Sequence, residues 1–172
     1  MKLCFVTNNK NKLSEVSSIL KNIKIISLED IGFYKDILET GSSLKENSQL
    51  KAKFIYKKFN IDCFADDTGL EIDLLNGEPG VYSARYAGNR SNSKENIDLV
   101  LKKMKNSKNR NAQFRTIITL YLDSKVYFFD GSVNGKISYH PIGNFGFGYD
   151  SIFIPQGYDI TFAQMNAEAK NK

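Results

Sequence analysis

The chain has 172 residues, a formal net charge of +5, and is 41% hydrophobic, 25% charged and 12% aromatic. A length suited to one domain and enough apolar material for a core exclude a large multidomain assembly and general disorder. The positive charge is mostly lysine, and its densest groups, Lys57-Lys58 and Lys102-Lys103-Met104-Lys105, fall on expected helices. It therefore reads as a solvated face rather than a nucleic-acid footprint.

Lys2 to Val6 is β-rich, Thr7 to Lys12 is polar, and Leu13, Val16, Ile19 and Leu20 recur at helical spacing, so the chain begins strand, loop, helix. Ile23 to Ser27 is expected as a second strand and Glu29 to Ser43 as an irregular excursion. Ser43, followed three residues on by Glu46, has capping-box spacing, and Leu50, Phe54, Ile55 and Phe59 give the next helix an apolar stripe. Ile61 to Ala65 is expected as a buried strand running into Asp66-Asp67-Thr68-Gly69, and Asn76 to Gly80 is the strongest turn cluster. Ser93 to Lys105 is expected as a helix with Ile97, Val100, Leu101 and Met104 inward. Ala112 to Leu122 and Val126 to Val133 read as a hairpin joined through Asp123-Ser124-Lys125. The glycine- and aromatic-rich Ile142 to Tyr149 is followed by Ile152-Phe153-Ile154 and a polar tail. Strands alternating with helices early and paired strands later predict an α/β fold, an elongated mixed β-sheet flanked by helices.

Cys4 and Cys63 each lie in an apolar strand-like run, with no CxxC pair for a zinc or redox site, so buried free thiols in a reducing compartment are expected. No window approaches the ~18 apolar residues of a membrane helix. A soluble, cytoplasmic protein is the expectation.

Four segments can carry chemistry. Thr7-Asn8-Asn9-Lys10-Asn11-Lys12 joins a strand to a helix, where α/β sheets gather ligands and a helix N-terminus offers backbone N–H groups to an anion. It fits neither common phosphate-loop pattern, and alone it reads equally as a hydrophilic turn. Asp66-Asp67-Thr68-Gly69 ends a buried strand; adjacent carboxylates point to opposite faces unless the chain turns, which Gly69 permits. Acids beside an apolar strand suit a divalent cation or general-base duty, though a helix cap or turn is the plain alternative. Glu39, before Thr40-Gly41, can supply a second carboxylate, and two suffice for Mg²⁺, which otherwise takes water and phosphate oxygens. Asn144 to Asp150 sets aromatics beside glycines, suited to a flat base or to an aromatic-packed sheet corner. Tyr82 to Gly88 is similar, with Arg85 available for an anion. His140, the sole histidine, precedes Pro141, which sets aside Ser-His-Asp, Cys-His and three-histidine zinc chemistry.

Taken in chain order, Thr7 to Lys12, Glu39-Thr40-Gly41 with Glu46-Asn47 and Lys51-Ala52, Ala65 to Leu70, Gly77 to Gly88 and Gly146 to Asp150 closely resemble the inosine triphosphate pyrophosphatase family. The resemblance implies a sheet with two lobes around a central nucleotide cleft, a homodimer, and Mg²⁺-dependent hydrolysis of noncanonical purine nucleoside triphosphates (ITP, dITP, XTP) to monophosphate and pyrophosphate. Residues 1–172 would form one such domain. By position, Asp67 matches the family's catalytic carboxylate and metal ligand, and Glu39 its other metal ligand. Thr7, Asn8, Asn9, Lys10, Asn11, Lys12, Lys51, Thr68, Phe147, Gly148, Tyr149 and Asp150 match substrate-contacting positions, with Phe147 and Tyr149 placed for the base. Lys170 matches the lysine of the family's Lys-Asn element, here Lys170-Asn171. The Ser-His-Arg element that follows in the family and reads the 6-keto purine is not among the residues to Lys172. The alternative expectation is a nucleotide-binding relative with weak or unselective hydrolysis. RNA binding, resting only on charge and exposed aromatics, lacks a supporting motif.

Overall fold

The computed structural model describes residues 1–88 and 92–171, so Lys172 lies outside the described residues. Strands β1 (Lys2–Phe5), β2 (Lys24–Ile26), β3 (Cys63–Ile72), β4 (Asn111–Leu122), β5 (Lys125–Ile137) and β6 (Phe153–Pro155) form a six-stranded sheet in the order β2-β1-β3-β4-β5-β6. β1 runs parallel to β2 and β3, and β5 antiparallel to β6, giving the mixed α/β sheet expected from the sequence. The helices are α1 (Lys10–Ile19), α2 (Leu44–Phe59), α3 (Ser93–Lys103) and the short α4 (Ala167–Lys170). Residue contacts gather the chain into two compact units, Met1–Asp67 with Thr116–Gly131 and Thr68–Arg115 with Ser132–Lys172. No helix among the described residues is long and apolar enough to cross a membrane.

In the first unit the two-residue strand period divides the core between two helices. Leu3, Phe5 and Phe64 pack with Leu13 and Val16 of α1, the Phe5 and Phe64 rings stacking at 4.5 Å. Cys4, Val6, Cys63 and Ala65 face the other way, against Ala52 and Ile55 of α2. Both thiols are buried and free, as expected; desolvation first, then the nearby Asp30 carboxylate, pushes Cys4 up to about 11. The α2 stripe differs from the one expected. Phe54 is exposed, and the buried positions are Leu44, Asn47, Ser48, Ala52 and Ile55. Hydrophobicity alone misses this stripe because two members are polar; Ser48 and Thr119 satisfy each other through a 2.8 Å hydroxyl pair. Ser43 does cap α2, accepting from the Glu46 N–H at 3.2 Å, and the Glu46 carboxylate accepts from the Ser42 N–H and hydroxyl at 2.6 and 2.9 Å. The β4–β5 turn uses only Asp123 and Ser124, both left-handed at φ 48° and 63°, as a tight two-residue hairpin requires.

In the second unit Leu70, Ile72, Ile97, Val100, Met104, Ile137, Ile152 and Phe153 make one apolar cluster. α3 begins at a complete capping box, with Asn92 and Glu95 bonding reciprocally. Its last turn carries Lys102 and Lys103, favourable for the helix dipole, and Lys103 bonds Glu78 at 2.8 Å. The dense lysines are thus helix ends and surface partners, in line with the solvated-face reading. The tail is not merely polar. Phe162, Ala163 and Met165 are buried, and Asn166 caps α4 by accepting from the Ala169 N–H at 2.8 Å.

Gly135 shows how tightly β5 and β6 meet. A Cβ there would collide with the Ile154 carbonyl and lie 2.6 Å from the Phe153 ring. Gly135→Ala is therefore expected to cost about 1–3 kcal/mol, measured by urea denaturation.

Candidate active site

The N-terminal segment is organised by its own side chains. Thr7 Oγ1 accepts from the Asn9 N–H at 3.1 Å, and Asn9 Oδ1 accepts from the N–H groups of Asn11 and Lys12 at 2.9 and 3.2 Å. Asn9 is thus the N-cap of α1, and Lys10, Asn11 and Lys12 form its first turn rather than the expected loop. Two of the helix's terminal N–H groups are already used by the cap, so the capacity for an anion rests on exposed side chains. Asn8 donates to Asp36 Oδ1 at 2.6 Å and to the Lys35 carbonyl at 3.4 Å, tying this segment to the excursion before Glu39.

β3 continues without a turn through Asp66 and Asp67, correcting the turn that Gly69 permitted. The two carboxylates therefore separate. Asp66 shares the Phe64 face and meets Lys12 Nζ of α1 at 2.5 Å. Asp67 shares the Ala65 face and meets α2. Asn47 Nδ2 donates to Asp67 Oδ2 at 3.1 Å, while Lys51 Nζ lies 4.0 Å from Asp67 Oδ1 and 2.5 Å from Glu39 Oε1. Asn47 and Lys51, four apart on one helix, present to the same side, so both reach Asp67. Burial, chiefly, with the Glu39 charge adding, raises Asp67 to about 6 against the pull of Lys51, the Asn47 hydrogen bond and Lys12.

This set fits a divalent cation. Glu39 and Asp67 both face the Lys51 ammonium, at 2.5 and 4.0 Å, and a buried carboxylate gains from added positive charge. Among the described residues no group of three or more His, Cys, Asp or Glu side chains is placed to hold a metal.

In the second unit Phe147, Asp150 and Lys170 come together. Asp150 Oδ2 accepts from the Phe147 N–H at 2.9 Å and from Lys170 Nζ at 2.8 Å, and the same ammonium lies 4.7 Å from the Phe147 ring centre. Gly146 is required here, since a Cβ would run into the Asp150 carboxylate. Gly148 is left-handed at φ 58° with open space around its missing side chain, and Thr68 is half-buried on β3. Tyr149 departs from the base-packing expectation. The residue is 5% exposed in the apolar cluster, and its hydroxyl donates to the Ser83 carbonyl at 2.8 Å, so its ring is committed to the core. It is an aromatic packed into the core, the reading that the segment alone favoured. Lys170→Met removes the ammonium from a buried carboxylate and is expected to cost about 3 kcal/mol, read as a lowered denaturation midpoint.

Asn47 belongs to the Glu46-Asn47 pair of the family pattern but received no role from the sequence, since its burial and its two partners appear only in the fold.

The chain is similar to known proteins over nearly its whole length. The Ham1 family model matches residues 3–172. The chain is 52% identical to the dITP/XTP pyrophosphatase of Flavobacterium johnsoniae, covering 99% of this chain and 90% of that protein, and 44% identical to that of Porphyromonas gingivalis, covering 99% and 89%. Among solved structures, the Ham1 protein of Staphylococcus aureus superposes with a TM-score of 0.89 at 38% identity, covering 100% of this chain and 90% of that one. A HAM1 protein from Coxiella burnetii gives 0.90 at 34% identity, covering 99% and 90%. With near-complete coverage, identity above half and a shared fold, this chain belongs to the Ham1 family.

Proposed function

We propose that this protein is a dITP/XTP pyrophosphatase, hydrolysing noncanonical purine nucleoside triphosphates to the monophosphate and pyrophosphate. The observation that carries the reading is the 52% identity over nearly the whole chain to a dITP/XTP pyrophosphatase, with Asp67 a buried carboxylate that faces the Lys51 ammonium alongside Glu39. Asp67 orients the attacking water or takes its proton as the water adds at the α-phosphorus; the bond between that phosphorus and the bridging oxygen breaks, and pyrophosphate leaves with the oxygen. Lys10, Lys12 and Lys51 offset the triphosphate charge, Lys12 held in place by Asp66 and Lys51 by Glu39. Glu39 and Asp67 would hold Mg²⁺, which when bound polarises the scissile phosphoryl group. Thr7, Asn8, Asn9 and Asn11 supply polar contacts to the substrate. Phe147 offers a ring to the base, Lys170 and Asp150 fix that ring's surroundings, and Thr68 and Gly148 supply backbone approach.

In this reading residues 1–172 act as one catalytic domain in a cytoplasmic homodimer that cleanses the nucleotide pool. The buried free thiols favour the reducing compartment. The test is pyrophosphate release from ITP, dITP, XTP, ATP and GTP with and without Mg²⁺. Rates on the first three well above ATP and GTP, lost without the metal, are expected. Equal rates on all five, or binding without hydrolysis, would overturn the reading.

A further inference from the structure

We infer that Asn47 is a positioning residue that locks the Glu39 loop and the Asp67 carboxylate into one geometry; the inference rests on the role proposed for Asp67. Asn47 is 0% exposed, and both ends of its carboxamide are engaged. Oδ1 accepts from the Gly41 N–H at 2.8 Å, and Nδ2 donates to Asp67 Oδ2 at 3.1 Å. Gly41 lies two residues after Glu39, and the fit is close. A Cβ on Gly41 would come within 2.7 Å of both Asn47 Oδ1 and Glu46 Cβ, so the loop backbone is pressed onto the asparagine.

The chemistry of the amide makes the residue type specific. It offers an acceptor and a donor on one rigid plane, so satisfying Gly41 turns the NH₂ group toward Asp67. Aspartate keeps the acceptor but faces Asp67 with a second oxygen, and alanine keeps neither. One turn later Lys51 approaches the other oxygen, Asp67 Oδ1, and also bonds Glu39. Asn47 therefore fixes the carboxylate from one side and leaves the other oriented toward Lys51. It also sets how far the Glu39 loop stands from Asp67. A change in this residue moves both acids relative to each other without removing either.

Asn47→Asp, Asn47→Ala, Asp67→Asn and the reciprocal swap Asn47→Asp with Asp67→Asn test this. Asn47→Asp should lower kcat on dITP about 10–100-fold with KM changed less than about threefold, while the Gly41 amide proton exchanges no faster than in the parent. Asn47→Ala should show a similar kcat loss with fast Gly41 exchange. Without metal, Asn47→Asp should melt lower than the parent, and the swap, which restores a donor–acceptor pair in reverse, should recover more than the two single changes sum to. Wild-type kcat in a folded Asn47→Asp, or strictly additive melting shifts across the swap, would overturn the inference. Should Asn47→Asp not fold, the kcat-against-KM split in Asn47→Ala decides, an equal fall in binding and turnover counting against it. If instead Asp67→Asn turns over dITP at the parent rate, the reading of Asp67 fails, and the additivity of the swap still judges the link between the two residues.

Discussion

Asp67→Asn is expected to cut pyrophosphate release from dITP by about 10²–10⁴-fold while leaving dITP binding measurable, and to raise the melting temperature of the metal-free protein at neutral pH. The two effects have one origin. The folded protein holds this carboxyl at about 6, above its ordinary value, mainly because burial disfavours the charge. A raised carboxyl contributes stability that is present below the unfolded value near 4 and is lost as pH rises through about 6. Above that range the cost is about 3 kcal/mol at most, since a tenfold change in proton affinity is worth about 1.4 kcal/mol. Asparagine removes the charge and its cost and retains an oxygen for the Asn47 donor. Calorimetry from pH 4 to 8 should show the parent losing ground to the variant as pH rises, with the gap levelling off above about pH 7. Isothermal titration with dITP checks that binding survives. A variant that melts below the parent at every pH would mean the carboxylate is not strained as described.

Lys51→Met is expected to lower kcat/KM on dITP about 100-fold and to move the acid side of the pH–rate profile upward. Lys51 contacts Glu39 directly and approaches Asp67, and its charge is the largest influence holding Asp67 down against burial. Without it, Asp67 keeps its proton to higher pH and is a weaker acceptor for the attacking water near neutrality. In the proposed mechanism activity needs the ionised carboxylate, and the substitution favours the protonated one. Added Mg²⁺ should recover part of the loss, since a cation between Glu39 and Asp67 restores the missing positive charge. Steady-state rates from pH 5 to 9 at several Mg²⁺ concentrations check both points.

Hydrophobic spacing carried most of the fold. Leu13 and Val16, Ile97 with Val100 and Met104, and the β4–β5 pair all lie where their periods place them. Where the structure departs, polar chemistry or distant partners are responsible. α2 buries Asn47 and Ser48 because Asp67 and Thr119 receive them, and both partners are remote in sequence. α1 starts at Lys10 because Asn9 folds its side chain over the next turn, a choice that a run of asparagines and lysines leaves open. Tyr149 sits in the core because the Ser83 carbonyl waits for its hydroxyl. The pairing of residues with chemistry depended on the joint pattern of motifs, since Glu39 in isolation is an ordinary loop acid. Geometry then separated Asp66 from Asp67: strand alternation sends one to Lys12 and the other to Lys51.

An NMR titration of the Asp67 side-chain carboxyl carbon, with and without Mg²⁺, probes the charge balance on which the proposed chemistry depends. In the metal-free protein the midpoint should fall at about 6, and saturating Mg²⁺ should move it to distinctly lower pH. A midpoint in the ordinary carboxylate range that does not respond to Mg²⁺ would contradict it.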